Sequence, residues 1–302
     1  MYNILITGAN GQLGRCIAKN AFTPNLFYIF LDKNKLNITD EETVRQNFEK
    51  YKPRVVINCA AYTNVDKAEK DGYQDAFNIN AKGPEILARY CKEYDTLLIH
   101  ISTDYVYDGR LNVPYIGIGG CEPRNKYGET KLKGDENIIS SGCKYLIFRV
   151  SWLYSNNGNN FYNKIMEKIL NNEHEFFSTI DEIASPTNAN NFAQVLLTIT
   201  KKYCNDEIHE KRLSKVYHYA DKGLCSRYDF AMAIQDFILE FNGTYGPTHI
   251  KPCRKYIFHT PAARPNYTVL DTTETLENLP YFEIYYWRDN LRDEIKKFLK
   301  NE

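Results

Sequence analysis

The chain has 302 residues, with Lys+Arg 38 balancing Asp+Glu 38, 43% hydrophobic residues and 25% charged residues. That is the composition of an ordinary globular protein with room for about two domains of ~150 residues each, and it provides no global field to draw in nucleic acid or an acidic membrane. No apolar run approaches the ~20 residues that span a bilayer, and the N-terminus enters the first strand without a leader pattern, so a cytoplasmic protein is expected. Eight scattered cysteines with no Cys-x-x-Cys pair predict reduced thiols. Six histidines without ligand spacing predict no metal.

Tyr2-Asn3-Ile4-Leu5-Ile6-Thr7 reads as a short buried strand, and Gly8-Ala9-Asn10-Gly11-Gln12-Leu13-Gly14 follows at once. Leu13, Ile17 and Ala18 carry helical spacing onward. A strand, a glycine-rich turn and a helix N-terminus in that order make a phosphate site: glycine lets the backbone approach a pyrophosphate, and the free helix N–H groups face it. Gly8, Asn10, Gly11, Gln12 and Leu13 are therefore candidates to hold a dinucleotide. Phe27 to Leu31 is the second strand, closed by Asp32, 24 positions beyond Gly8 (32 − 8 = 24). An acid there binds the adenosine ribose and repels a 2′-phosphate. This slightly favours NADH over NADPH, and Lys33 and Lys35 soften the preference.

Arg54 to Cys59 is a continuous apolar strand running into Ala60-Ala61-Tyr62, and Tyr73 to Tyr94 reads as one long helical stretch. Thr96 to Ile101 is the next strand, ending in Ser102-Thr103-Asp104; Tyr145 to Val150 follows, ending in Ser151-Trp152. Buried, unalternating strands between helices predict an α/β fold with a Rossmann-like, doubly wound parallel sheet. Ligands in such sheets bind beyond the strand C-termini, where the glycine turn and these strand ends converge. Past residue 150 the pattern breaks up. Asn191 to Thr200 looks helical and Lys215 to Tyr219 extended, so the chain is expected to rejoin the sheet there. Arg227 to Phe241 reads as an amphipathic helix, and a C-terminal helix sets Leu291, Ile295, Phe298 and Leu299 on one face. The expected organisation is a dinucleotide-binding domain of 1–150 plus about 186–219, interleaved with a smaller C-terminal substrate domain of 151–185 plus about 220–302.

Tyr127 and Lys131, in Tyr127-Gly128-Glu129-Thr130-Lys131, are spaced to share one face of a helix. A phenol near pKa ~10 is a poor acid at neutral pH unless its anion is favoured, and a lysine beside it does that by Coulombic attraction. With the Thr103 hydroxyl to orient a carbonyl, Tyr127 to donate the proton and Lys131 to hold a nicotinamide ribose, these residues suit a hydride-transferring reductase.

Taken together, Thr7 to Gly14, Asn58 to Glu69, Ser102 to Gly109, Tyr127 to Leu132, Arg149 to Tyr154, Gly158 to Phe161, Ser185-Pro186-Thr187 and Arg264-Pro265 resemble the dTDP-4-dehydrorhamnose reductases, a branch of the extended short-chain dehydrogenase/reductases. The resemblance spans nearly the whole chain. It implies NADH- or NADPH-dependent reduction of the C4 keto group of dTDP-4-dehydro-L-rhamnose. It implies cofactor contacts at Ala60, Ala61, Tyr62, Tyr127 and Lys131, and contacts to the dTDP-deoxysugar at Val65, Asp104, Tyr105, Trp152, Asn160 and Arg264. A related sugar-nucleotide dehydratase would carry Thr-Asp-Glu where this chain has Thr103-Asp104-Tyr105, so dehydration is not expected. Two other readings remain: a reductase of a related keto-deoxysugar nucleotide, and a non-catalytic subunit resembling the regulatory β subunit of methionine adenosyltransferase. The loop Tyr115 to Glu122 departs from the family's acidic pattern. Arg15, Asn190 and Arg288 stand where some relatives hold a dimer-bridging metal with glutamates, leaving monomer or homodimer open.

Overall fold

Strands that are apolar on both faces need a cover on each side, and here helices supply it. The computed structural model describes residues 1–300 except 118 and 244, so Ile118 of the departing loop, with Asn301 and Glu302 of the expected second domain, lies outside the described residues. The strands are β1 (Tyr2–Thr7), β2 (Leu26–Leu31), β3 (Val55–Asn58), β4 (Leu97–Thr103), β5 (Tyr145–Val150) and β6 (Lys215–Tyr219). They form one six-stranded sheet in the order β2-β1-β3-β4-β5-β6, parallel at every pairing. Strand order reverses between β1 and β3, which opens the ligand crevice of a doubly wound sheet.

The principal helices are α1 (Gln12–Asn20), α2 (Glu41–Tyr51), α3 (Gly83–Glu93), α4 (Lys126–Ser141), α5 (Phe161–Leu170), α6 (Ala189–Cys204), α7 (Arg227–Phe241) and α8 (Trp287–Leu299). Ile4 and Ile6 of β1 pack on one side with Leu13, Ile17 and Phe192 from α1 and α6. Leu5, one residue between them, packs on the other with Phe48, Leu87 and Ile138 from α2, α3 and α4. The alternation of a strand's side chains thus builds two cores from one segment. Local signals begin and end the helices. Asn125 caps α4 by accepting from Gly128 N at 2.8 Å, Gly142 ends it in the left-handed region, and Ser226 with Asp229 forms a capping box on α7. No helix among the described residues is long and apolar enough to cross a membrane.

The stretch 73–94 is not one helix. Tyr73–Phe77 is followed by a π turn, Asn78–Lys82, before α3 begins. Asn80, buried in that wide turn, accepts from Tyr62 N at 2.9 Å and donates to Tyr62 O at 3.0 Å and Thr130 Oγ1 at 3.1 Å. Its amide pins the loop after β3 against α4, and periodicity alone carries no trace of it.

A third core joins Tyr154, Tyr162, Phe230 and Trp287 from α5, α7, α8 and their flanks. In α8, Leu291 and Ile295 are fully buried, but Phe298, expected on the same face, is 38% exposed. Glu294 of that helix is buried and accepts from Asn156 N at 3.2 Å and Asn188 Nδ2 at 3.1 Å, which ties the C-terminal helix to the start of α6. Beside it, Asp221 accepts from Asn188 N at 3.1 Å through Oδ2, while its buried Oδ1 has no hydrogen-bond partner among the described residues. Burial pushes this carboxyl up to about 7. A carboxyl raised in the folded state binds its proton there and not in the unfolded chain, so its contribution to stability falls as pH rises from 4 to 7. Asp221→Asn is therefore expected to be nearly neutral at pH 4 and to raise the melting temperature by ~2–4 °C or more at pH 8 relative to the parent chain. Thermal melts of both proteins at the two pH values check this.

Candidate active site

The crevice starts at the glycine turn. Gly11 caps α1 without a side-chain bond, so the first helix N–H groups stay available to an anion. Gly8 has φ +62°, and a Cβ there would lie 2.6 Å from Ala60 N, so only glycine lets the turn pass so close to the loop after β3. Beside it is a pocket of about 270 Å³ lined by Gly8, Asn10, Gly11, Asp32, Ala60 and Ala61 among others. Asn10 Nδ2 donates to Asp32 Oδ2 at 3.0 Å, and the backbone N–H groups of Asn34 and Lys35 donate to Oδ1 at 3.1 and 3.2 Å, so the carboxylate is fixed at the pocket edge. A dinucleotide fits this cradle: it has a bare helix N-terminus, no Cβ in the way and an acid at the ribose end. Tyr62 does not line it. Its ring is directed at Gly72, where a Cβ would meet the phenol oxygen at 2.2 Å, because the Asn80 amide holds the Tyr62 backbone turned that way.

A second cleft of about 540 Å³ adjoins it, and Gln12, Leu13, Thr103, Tyr127, Lys131 and Trp152 all face it. Helix α4 sits hard on the end of β4, since a Cβ at Gly128 would lie 2.2 Å from Tyr105 O. That approach brings Tyr127 and Thr103 to face the same cleft and sets the Tyr105 ring edge-on to the phenol at 5.9 Å between centroids. Burial pushes the phenol well above its ordinary range, with the Thr103 hydroxyl opposing. The net lowering of Tyr127 expected from Lys131 is therefore not what this arrangement produces, because desolvation dominates. Lys131 donates instead to Ile101 O at 2.6 Å and lies 3.4 Å from His100 Nε2, and burial lowers it to about 8. The phenol is thus fully protonated at neutral pH, which is the form an acid catalyst needs.

Asp104 faces the cleft, but its carboxylate is occupied by protein hydroxyls. Thr268 donates at 2.5 Å, Ser151 at 3.0 Å and Thr103 at 3.2 Å, and burial raises it to about 6 despite them. These bonds brace the end of β4 against the segment after β5 and the loop around Thr268. Asn160 is similarly committed. Its Oδ1 caps α5 by accepting from Asn163 N at 2.8 Å, and its Nδ2 donates to Gln12 Oε1 at 2.6 Å and Ser155 O at 2.9 Å. The side chain links the glycine turn to the second unit.

Beyond Val65 and Tyr105 the cleft opens into a groove of about 1100 Å³ whose lining includes Arg124, Lys164, Arg227, Lys255 and Arg264 against one carboxylate, Glu182. Arg264 is held by a two-pronged pair to Asp66, at 2.7 and 3.1 Å, so part of its charge is already matched. Arg227, the first residue of α7, is among the members that sequence reading missed, with Arg124, Lys164 and Lys255. Its guanidinium stacks 3.6 Å from the Trp152 ring centre and 4.7 Å from that of Phe161, and it lines both the cleft and the groove. Nothing in the spacing of residues 152, 161 and 227 announces this sandwich. Trp152 itself has φ +43°, a conformation that costs ~1–3 kcal/mol in a non-glycine residue and is characteristic of functional sites.

Comparison with known proteins accords with this geometry. The family described as the RmlD substrate binding domain matches residues 2–300. The chain belongs to that family. It is 33% identical over 275 residues to dTDP-4-dehydrorhamnose reductase from Aggregatibacter actinomycetemcomitans, covering 91% of this chain and 92% of that protein. Among solved structures, dTDP-4-dehydrorhamnose reductase from Clostridium acetobutylicum superimposes with a TM-score of 0.87 at 35% identity, covering 98% of this chain and 99% of the other. The enzyme from Bacillus anthracis, determined in complex with NADP, gives 0.84 at 29% identity over 98% and 99% of the two chains. In this member of the RmlD family, Thr103, Tyr127, Lys131 and Trp152 all face one cleft.

Proposed function

We propose that this chain is a cytoplasmic reductase that uses NADH or NADPH to convert the C4 keto group of dTDP-4-dehydro-L-rhamnose to the alcohol of dTDP-L-rhamnose. The observation that carries this reading is the convergence of Thr103, Tyr127 and Lys131 on one cleft, located where the dinucleotide crevice opens into a cationic groove. Gly8, Gly11 and the N-terminus of α1 would hold a dinucleotide, which would supply the hydride. Thr103 orients the carbonyl oxygen, and Tyr127 passes its proton to that oxygen as negative charge develops. The Lys131 ammonium, one helical turn away, favours the phenolate left behind and holds the ribose. Tyr105 and Trp152 wall the deoxysugar, whose methyl group suits an aromatic face. The excess of Arg and Lys in the groove suits a diphosphate, and the exposed rings of Phe177, Tyr256 and Phe258 at its far side suit a base. On this reading residues 1–150 plus about 186–219 hold the cofactor and the remainder holds the sugar nucleotide. The direct test is oxidation of NADH or NADPH by the purified chain, dependent on this keto-sugar nucleotide; a chain silent under these conditions would overturn the reading.

Tyr127→Phe is expected to lower kcat by about 10²-fold or more, the order for loss of a general acid, with cofactor affinity little changed. Steady-state kinetics and a cofactor titration on the same protein check both halves. Asp32 at the ribose end predicts that NADH is at least as good a donor as NADPH, and that Asp32→Ala moves the kcat/KM ratio toward NADPH. A parent preference for NADPH above about tenfold would show that Lys33 and Lys35 dominate. Trp152→Ala removes tens of Å² of apolar wall, about 1–2 kcal/mol at ~25 cal/mol per Å². Substrate kcat/KM is expected to fall ~5- to 30-fold with NADH binding intact. Equal weakening of both ligands with a lower melting temperature would mark Trp152 as a packing residue.

A further inference from the structure

Beneath the cleft Lys131 meets a buried set of polar groups to which the reaction described above gives no role. His100 and Asp135 are fully buried, and Lys131, Ser102 and Arg149 are nearly so. The hydrogen-bond pattern decides which imidazole nitrogen carries the proton. Asn58 Oδ1 accepts from Thr7 Oγ1 at 2.6 Å and from Ala60 N at 3.2 Å, so its Nδ2 is the atom facing His100 Nδ1, at 3.0 Å. An amide N–H can meet only an acceptor, so Nδ1 is bare and the proton is on Nε2. Burial and the Lys131 charge hold the ring neutral, well below its ordinary pKa. That Nε2–H lies 3.4 Å from Lys131 Nζ and 4.0 Å from Asp135 Oδ1. Asp135 Oδ2 is satisfied by Ser102 Oγ at 2.9 Å and Arg149 Nε at 3.2 Å, whereas Oδ1 is buried with no hydrogen-bond partner among the described residues.

An Nε2–H and an ammonium are both donors, so their contact fits only a neutral Lys131 amine, which can accept. When Lys131 is an ammonium, the imidazole hydrogen needs another acceptor, and the unpaired Asp135 Oδ1 lies 4.0 Å from Nε2, a small shift away from hydrogen-bond distance. We propose that Asp135 is a positioning residue that sustains the Lys131 ammonium through His100, whose Nε2–H alternates between the lysine amine and the aspartate oxygen. The relay moves a hydrogen bond and not a proton, so no charge is transferred along it. Its link to turnover rests on the reading that the Lys131 ammonium supports Tyr127.

The charged and titratable groups around this trio are Arg149 and Tyr145 from β5, Tyr127 from α4 itself and, from the segment after β4, Asp104, Tyr107 and Cys121. Behind them Arg149 Nη1 donates to Tyr107 OH at 2.9 Å, and Tyr107 OH lies 2.6 Å from His218 Nε2. Asp135 is the buried anion shared between two cations, Lys131 and Arg149. Removing it takes away the charge that favours the ammonium, and removing Arg149 leaves the whole of it to Lys131. The two changes must therefore move Lys131 in opposite directions.

The test is a titration of the full chain carrying ¹³Cε-labelled lysine, with the Lys131 resonance assigned by its loss in Lys131→Arg. Asp135→Asn is expected to lower the Lys131 midpoint by about one pH unit or more, Arg149→Gln to raise it, and Asp135→Glu to restore it toward the parent value. If Asp135→Asn does not fold, the rise in Arg149→Gln carries the test with the opposite sign. A midpoint unmoved in both variants overturns the relay. The alkaline limb of the kcat/KM profile is expected to shift with the NMR midpoint. A moved midpoint with an unmoved limb would uphold the relay while refuting the assigned role of Lys131 in turnover.

Discussion

An ammonium buried against the central sheet governs the geometry of the site. Lys131 is almost completely enclosed and donates to Ile101 O of β4 at 2.6 Å, which draws α4 onto the strand end. A buried charge without partners costs several kcal/mol, so its surroundings are narrowly constrained. Tyr127, Lys131 and Asp135 occupy the i, i+4 and i+8 positions of one helix stripe. Anchoring the middle residue therefore aims the first at Thr103 and the third at Ser102 and Arg149. Gly128 permits the approach, since any side chain there would collide with the Tyr105 carbonyl.

The strand ends are held with comparable strictness. Asp104 gathers the hydroxyls of Thr103, Ser151 and Thr268, joining β4, the segment after β5 and the loop around Thr268. Asn160 and Gln12 join the glycine turn to α5 in the same way. Both links use residues that in isolation look like ligand contacts. Their effect is to make the cofactor crevice and the groove a single rigid wall, with Trp152 in its strained conformation at the seam and Arg227 stacked on it.

That arrangement separates two electrostatic environments. The cleft floor is enclosed, where burial raises the Tyr127 phenol and the Asp104 carboxyl and lowers Lys131 and His100. The groove is open and carries an excess of cations. On the proposed reading, proton chemistry belongs to the first and anion recognition to the second.

The sequence by itself determined what depends on neighbours within a turn or two. The strand–glycine–helix opening, the Tyr127–Lys131 spacing and the span of Arg227 to Phe241 all rest on local sterics and periodicity, and all are present in the fold. The return of Lys215 to Tyr219 to the sheet was also legible, because a β-branched and aromatic run between turn signals has few other places to go. What only the tertiary structure decided is where side chains point and which charges survive. The Asn80 amide fixed the Tyr62 backbone, and Gln12 took an amide hydrogen of Asn160. Burial, not the adjacent lysine, set the Tyr127 phenol, and Arg227 met Trp152 across 75 residues of chain (227 − 152 = 75). Each of these follows from a contact between segments distant in sequence. Desolvation in particular is a property of the packed interior, so no spacing along the chain encodes it.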